Sequence, residues 1–350
     1  MIDKVWNKKL LIKPVEKIEV NYLAMARTNG GKAVFLGSTD GLSWRRIPRP
    51  SMTSLGVDGS MAYGAGVYVI TDGDDILYSK DCYSWKRTPA PEAGQGYIYY
   101  ANGKFFYIQY KSVYTSTDLK EWTKGSTLPF YTSYKNVVYH KAANKYLLAS
   151  YYGLAYSSDG LSWTKATTAS NASTGYGGVV YSYGKGVATL FSYSSDRVNL
   201  EYSANATSWT AISSISGSNY RFVEGSAAPQ SKVLLAYNKT NVAHPLMAHN
   251  AGTTVVTDLT VPAFDNGEIY DLSWYNYRYY LAGYEKINNV MKGKMYYSED
   301  NGVSWTECTD FPEDIEVIFR IVSNDRTGFE SYDKELPPIT FDQEDNGFQL

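Results

Sequence analysis

Carboxylates at recurring positions are the first candidates for chemistry in this 350-residue chain. Asp40, Asp81, Asp118, Asp159 and Asp300 each stand two residues after a serine (Ser38 in the first copy) and shortly before a tryptophan, as in "YSSDGLSW" from Tyr156 to Trp163. A hydroxyl beside a carboxylate suits metal or sugar binding, and it suits equally a turn whose backbone N–H groups need acceptors. One carboxylate per turn falls far short of the six to eight oxygens that calcium takes. Asn205 fills the same place in another copy, where an amide still accepts hydrogen bonds but cannot serve as an acid or base. The recurring carboxylates therefore read as structural. A glycosidase needs only two carboxylates about 5–10 Å apart, and Asp72, Asp74, Asp75, Asp196 and Glu224 remain candidate members, although "TDGDD" also has the composition of a solvated turn. His140, His244 and His249 show no metal-ligand spacing, and Cys82 and Cys308 are too few for a zinc site or a disulfide framework. No glycine-rich phosphate loop, nucleophile elbow or HExxH is present. No metal or cofactor is expected.

The elements that carry these residues follow from the repeat. The tryptophans fall at Trp44, Trp85, Trp122, Trp163, Trp209 and Trp305, and a degenerate copy, "MAHNAGTTVVT", puts Val255 in the one long gap. Seven copies at this spacing match propeller blades, whose four short strands take about 40–50 residues. Alternating apolar hairpins such as "IYYANGKFFYI" precede six of the boxes, so each box falls at the turn between a third and a fourth strand. With 34 tyrosines and abundant Ser, Thr, Asn and Gly, the composition suits strands and turns rather than helices. The expectation is an all-β, seven-bladed β-propeller over residues 21–323, flanked by an N-terminal arm, 1–20, and an acidic, proline-containing C-terminal extension, 324–350. The first box has too little sequence before it for a whole blade, and "IEVIFRIV" (Ile315 to Val322) is an orphan strand. A composite closing blade that joins the two removes both free edges.

The box "S-x-D-x-G-x-x-W" resembles the Asp-box, or bacterial neuraminidase repeat, of sialidases and many other propellers. Ser298, Asp300, Gly302 and Trp305 match it best, and Ser38, Asp40, Gly41 and Trp44 match with one residue deleted, as do Ser157, Asp159, Gly160 and Trp163. In that family the boxes lie at the periphery, away from the catalytic face, so the resemblance implies the fold and not the activity. A sialidase also needs three arginines, a tyrosine nucleophile with a glutamate partner, and an aspartate acid. The nearest string to its first arginine, Arg46-Ile47-Pro48, follows Trp44 where the family's element precedes the first box. Arg197, Arg221, Arg278 and Arg320 carry no pattern linking them to a Tyr–Glu pair, and family sialidases have six blades.

The loops at the other end of the blades are rich in aromatic and neutral polar groups. Phe130, Tyr131, Tyr134, Tyr151, Tyr152, Tyr176, Tyr193, Arg197 and Tyr220 form the candidate ligand-binding set, because tyrosine with Ser, Asn and Gly combines rigid stacking area with adaptable hydrogen bonding. The near-balanced charge, formally −2, draws the chain to neither nucleic acid nor anionic membrane. No apolar run approaches the ~20 residues of a membrane span, and no signal-peptide core is visible, which implies synthesis in the cytoplasm. The resemblance extends to catalytically silent propellers of bacteriophage virions and tails. A non-enzymatic module contacting a host-surface glycan or protein, or neighbouring virion proteins through its terminal segments, is the expectation; a soluble sialidase-like glycoside hydrolase is the alternative.

Overall fold

The computed structural model describes residues 17–52, 60–132, 136–169, 175–183, 185–193, 197–216, 220–227, 232–239, 246–250, 256–259, 264 and 267–324. Strands alternate with tight turns throughout, and a single 3-10 turn, Lys141–Ala143, interrupts them among the described residues. The strands make seven four-stranded sheets, numbered here one to seven in chain order. Six are meanders of consecutive strands. Sheet one combines Tyr22–Thr28, Ala33–Ser38 and Arg45–Ile47 with Ile315–Ser323, which pairs antiparallel with Tyr22–Thr28.

The innermost strands are Ile315–Ser323, Met61–Gly64, Tyr97–Ala101, Val137–His140, Gly175–Ser182, Tyr220–Ala227 and Glu268–Tyr275. Each contacts the inner strand of the next sheet, and Glu268–Tyr275 returns to Ile315–Ser323, so the sheets form a ring. The chain is an all-β β-propeller. Its core lies between sheets: Leu23, Met25 and Phe35 of sheet one pack with Tyr68 and Ile70 of sheet two, and similar buried clusters fill other sheet-to-sheet gaps. Polar pairs fasten the incoming last strand. Arg46 bonds both oxygens of Asp314 at 2.7 and 2.9 Å, Arg27 bonds Glu316 at 3.1 and 3.2 Å, and the buried Asp271 carboxylate accepts from the N–H of Ile321 at 3.0 Å.

The serine–aspartate boxes occupy the turns between third and fourth strands, and the turn explains its own residues. In sheet four, Asp159 Oδ1 accepts from the Ser157 hydroxyl at 2.8 Å and from the N–H groups of Leu161 and Ser162 at 2.7 Å each. Ser157 Oγ accepts from Gly160 N–H at 2.8 Å, and the Trp163 indole donates to Gly160 O at 3.0 Å. Equivalent bonds surround Asp40, Asp81 and Asp118, and a slightly longer turn with an inserted Asn301 surrounds Asp300. Asn205 makes the same set with its amide oxygen, accepting from Thr207 and Ser208 N–H at 3.0 and 2.9 Å. The seventh place, around Val255, lies outside the described residues.

The donors hold the carboxyls below the usual range. At Asp159 the N–H of Ser162 is the leading cause. At Asp40, Asp81, Asp118 and Asp300 partial burial pulls upward, and the combined hydrogen bonds outweigh it.

Each box also reaches its neighbour. Trp85 packs against Phe35 of the preceding sheet and Trp163 against Phe106, with ring centroids 5.9 and 6.3 Å apart. The residue after the aspartate, or after Asn205, has positive φ in all six described boxes, and its occupant varies: Gly41, Cys82, Leu119, Gly160, Ala206, and Asn301 followed by Gly302. Cys82, Leu119 and Ala206 are fully buried between sheets. At Gly41, Gly160 and Gly302 the space is already taken. A Cβ there would stand 2.3 Å from the Tyr280 hydroxyl, 3.1 Å from Phe106 and 2.8 Å from Leu234, each on the preceding sheet.

Candidate functional site

The turns between second and third strands lie at the opposite end of the sheets from the boxes, and two adjacent ones carry exposed aromatics. Tyr110-Lys111 joins Lys104–Gln109 to Ser112–Ser116 in sheet three, and Tyr151-Tyr152 joins Lys145–Ser150 to Gly153–Ser157 in sheet four. Two-residue hairpin turns favour positive φ, and Tyr110 adopts φ of 51° without being glycine. Between them runs the connection from sheet three to sheet four. Its backbone is tied to the first turn by Leu128 N–H to Lys111 O at 2.9 Å and Thr132 N–H to Tyr110 O at 2.7 Å. It is tied to the second by the Ser150 hydroxyl donating to Tyr131 O at 2.8 Å.

The result is a platform of Tyr110, Tyr131, Tyr151 and Tyr152, exposed to 70, 58, 41 and 57%. Lys111 places its ammonium 4.5 Å from the Tyr131 ring centroid, and Tyr151 meets Tyr152 edge to face at 5.1 Å. Phe130 does not belong to the surface set. It is buried among Ile108, Val113, Leu128 and Leu148, under the second turn, and Gly153 leaves the room: a Cβ there would stand 2.4 Å from the Phe130 ring. Burial of so large a ring follows from its place beside Leu128 at a sheet-to-sheet gap, so Phe130 packs beneath the platform rather than on its surface. Tyr110 escaped the sequence reading because "QYKS" contains no Gly, Asn or Asp to announce a turn. Tyr134 lies outside the described residues; Tyr176, Tyr193, Arg197 and Tyr220 sit on the strands Gly175–Ser182, Val187–Tyr193, Arg197–Ser203 and Tyr220–Ala227, with side chains outside the description.

Of the candidate acid–base residues, Asp72, Asp74 and Asp75 are engaged in structural contacts. Asp72 is fully buried rather than part of a solvated turn, because Arg87, from the outer strand of the same sheet, reaches over to bond it at 3.1 Å, and also bonds Asp75 and the Ser51 carbonyl. Asp74 accepts the Gly94 N–H at 2.5 Å. Asp196 and the side chain of Glu224 lie outside the described residues. His140 is enclosed: its Nδ1 accepts from Ala143 N–H at 3.2 Å and its Nε2 lies 3.1 Å from the Ser203 carbonyl, to which it donates. Burial, outweighing these bonds, pushes its pKa down and keeps it neutral. Both thiols are buried and raised by that burial, Cys308 to about 12. Among the described residues no group of His, Cys, Asp and Glu could hold a metal ion.

One Tyr–Glu contact was not foreseen. Tyr270 donates to Glu268 at 3.0 Å on the inner strand of sheet seven, and its ring meets Phe319, over which the Arg27 guanidinium lies at 5.6 Å. Alternate residues of a strand share a face, which is the signal that would have found it. Burial first, then the Glu268 charge, push the phenol of Tyr270 upward, the wrong direction for a nucleophile, and Arg27 is committed to Glu316.

The fold has relatives among solved structures. A protein from Lactobacillus plantarum superposes with a TM-score of 0.62 at 10% identity, covering 86% of this chain and 99% of its own. A proposed 6-phosphogluconolactonase from Bacteroides uniformis gives 0.56 at 12%, covering 86% and 100%. The extracellular domain of a proposed hybrid two-component system from B. thetaiotaomicron gives 0.52 at 10%, covering 83% of this chain and 38% of that one. At such identities the likeness extends to the propeller fold alone. No protein-family model and no curated protein matches the sequence. No described helix is long and apolar enough to cross a membrane.

Proposed function

We propose that this chain is a non-enzymatic recognition module, an Asp-box β-propeller that attaches to a surface glycan or protein through the Tyr110–Tyr131–Tyr151–Tyr152 platform. The observation that carries the reading is the platform itself: four exposed tyrosines on two turns of adjacent sheets and on the connection to which both turns are bonded, with no carboxylate, imidazole or thiol in residues 109–112, 125–132 and 150–153. Aromatic side chains with two rotatable angles present contact area at low entropic cost. The Asp-box assignment draws on the repeated serine–aspartate–tryptophan turns and their hydrogen bonds. A setting in a larger assembly, such as a bacteriophage virion or tail, with neighbouring proteins held through residues 1–20 and 324–350, fits the resemblance and the Tyr/Ser/Thr-rich, cysteine-poor composition.

The test pairs binding with turnover. Tyr131→Ala with Tyr152→Ala should weaken attachment to host cells by ~1–3 kcal/mol per important contact while leaving the thermal melt in place. Chromogenic sialosides and glycosides should show no hydrolysis above background. Turnover abolished by one Asp or Glu substitution would replace the recognition reading with the glycosidase.

A further inference from the structure

We infer that the platform takes an extended polysaccharide bearing carboxylates, a polyuronate-like chain, with Lys111 selecting the acidic group; this rests on the recognition reading above. The composition of the exposed surface favours a sugar over a protein partner. Every large hydrophobic side chain exposed from these two turns and their connection is a tyrosine, with no exposed Leu, Ile, Met or Trp among the described residues there. Protein interface centres use Trp, Met and Arg beside tyrosine, and none of the three occurs in residues 109–112, 125–132 and 150–153; pyranose rings present flat C–H faces and hydroxyls that suit tyrosine rings and their hydroxyls.

Charge supplies the second argument. Residues 109–112, 125–132 and 150–153 hold one charged side chain, Lys111, and no carboxylate, although the chain as a whole is formally −2. Lys111 makes no ion pair among the described residues. Its ammonium instead rests 4.5 Å from the Tyr131 centroid, a contact that fixes the charge beside a stacking surface while leaving N–H donors for an anion. A sugar ring on the platform would therefore meet stacking area and a localised cation together. Three successive chain segments across two sheets carry the tyrosines, so the contacts are distributed over more than one turn, as a chain of linked sugar residues would use them.

Affinity gel electrophoresis with alginate and with a neutral galactomannan tests the inference. The protein should be retarded more by alginate; with a formal charge of −2 the chain as a whole has no net attraction to the polyanion. Lys111→Gln should lose roughly fivefold in apparent affinity for alginate, as expected for a partly exposed charge pair, and none for galactomannan. The alginate preference should shrink as ionic strength rises, and Tyr110→Ala with Tyr152→Ala should abolish retardation without moving the melt. Equal retardation by both polymers, or an unchanged Lys111→Gln, overturns the acidic selectivity. No retardation by either overturns the saccharide inference altogether. If the tyrosine variants then still lose attachment to intact cells, the recognition reading survives with a different ligand.

Discussion

Asp159 offers a direct test of what the box carboxylates do. Asp159→Ala removes the acceptor of three hydrogen bonds, from the Ser157 hydroxyl and the Leu161 and Ser162 N–H groups. Bonds to a charged acceptor contribute ~1.5–3 kcal/mol when dry. Both N–H bonds here are exposed, so water replaces much of the loss, and ~2 kcal/mol in all is the expected net cost. With an unfolding entropy of ~2.1 cal/mol/K per residue, that lowers the melting temperature of a chain this long by only about 3 °C. Urea titration is the better assay. Asp159→Asn is the informative partner, because Asn205 already makes the same three bonds with an amide oxygen, so it should cost about half as much or less.

Acidity separates the two roles further. A carboxyl whose folded pKa lies below the ordinary 3.8 contributes stability that is present above 3.8 and is lost as pH falls from there through the folded pKa. The urea-midpoint gap between wild type and Asp159→Asn should therefore narrow between pH 5 and pH 2. An Asn variant as damaged as the Ala variant, or a gap independent of pH over that window, would refute the turn-acceptor argument.

Trp44→Ala should cost ~3–5 kcal/mol by urea denaturation, since the indole is buried, meets Tyr22 edge to face and stacks on Phe311. His140 is held neutral, so its contribution is complete above the unfolded pKa of 6.5 and declines as pH drops below it; His140→Gln should flatten the stability profile between pH 7.5 and 5. Truncation after Glu313 removes Ile315–Ser323 and bares the edge of Tyr22–Thr28; aggregation or loss of a cooperative melt is expected, whereas a chain ending at Asp325 should melt like the full protein.

The boxes were legible in the sequence because their hydrogen bonds close within seven or eight residues, and a local pattern of types is then sufficient. The propeller followed from recurrence. The site was less legible, for two physical reasons. Whether an aromatic in a connecting loop faces inward or outward is decided by what lies across the sheet-to-sheet gap, as the adjacent Phe130 and Tyr131 demonstrate with opposite fates. Buried polar pairs such as Asp72 with Arg87 join residues on separate strands whose approach the turn composition of "TDGDD" does not encode.

The variable residue after each box aspartate acts as a peg aimed at the preceding sheet. Its length is nothing at Gly41, Gly160 and, one residue later in the longer turn, Gly302; it is a methyl at Ala206 (after Asn205), a thiol at Cys82 and an isobutyl group at Leu119. The sockets are cut to match: Tyr280, Phe106 and Leu234 already fill the space opposite the glycines. Left-handed backbone under a side chain costs ~1 kcal/mol, and burying a leucine returns ~2, so the longer pegs are retained at a profit. A ring of look-alike repeats is at risk of docking in the wrong sequence during folding. Here a Leu119 peg offered to the socket beneath Gly41 would drive into the Tyr280 hydroxyl, and a glycine offered to the socket of Leu119 would leave a void. Peg length thus separates the joints of Leu119, Cys82 and Ala206 from the three glycine joints, and repeats alike in their turns are not all interchangeable at their seams.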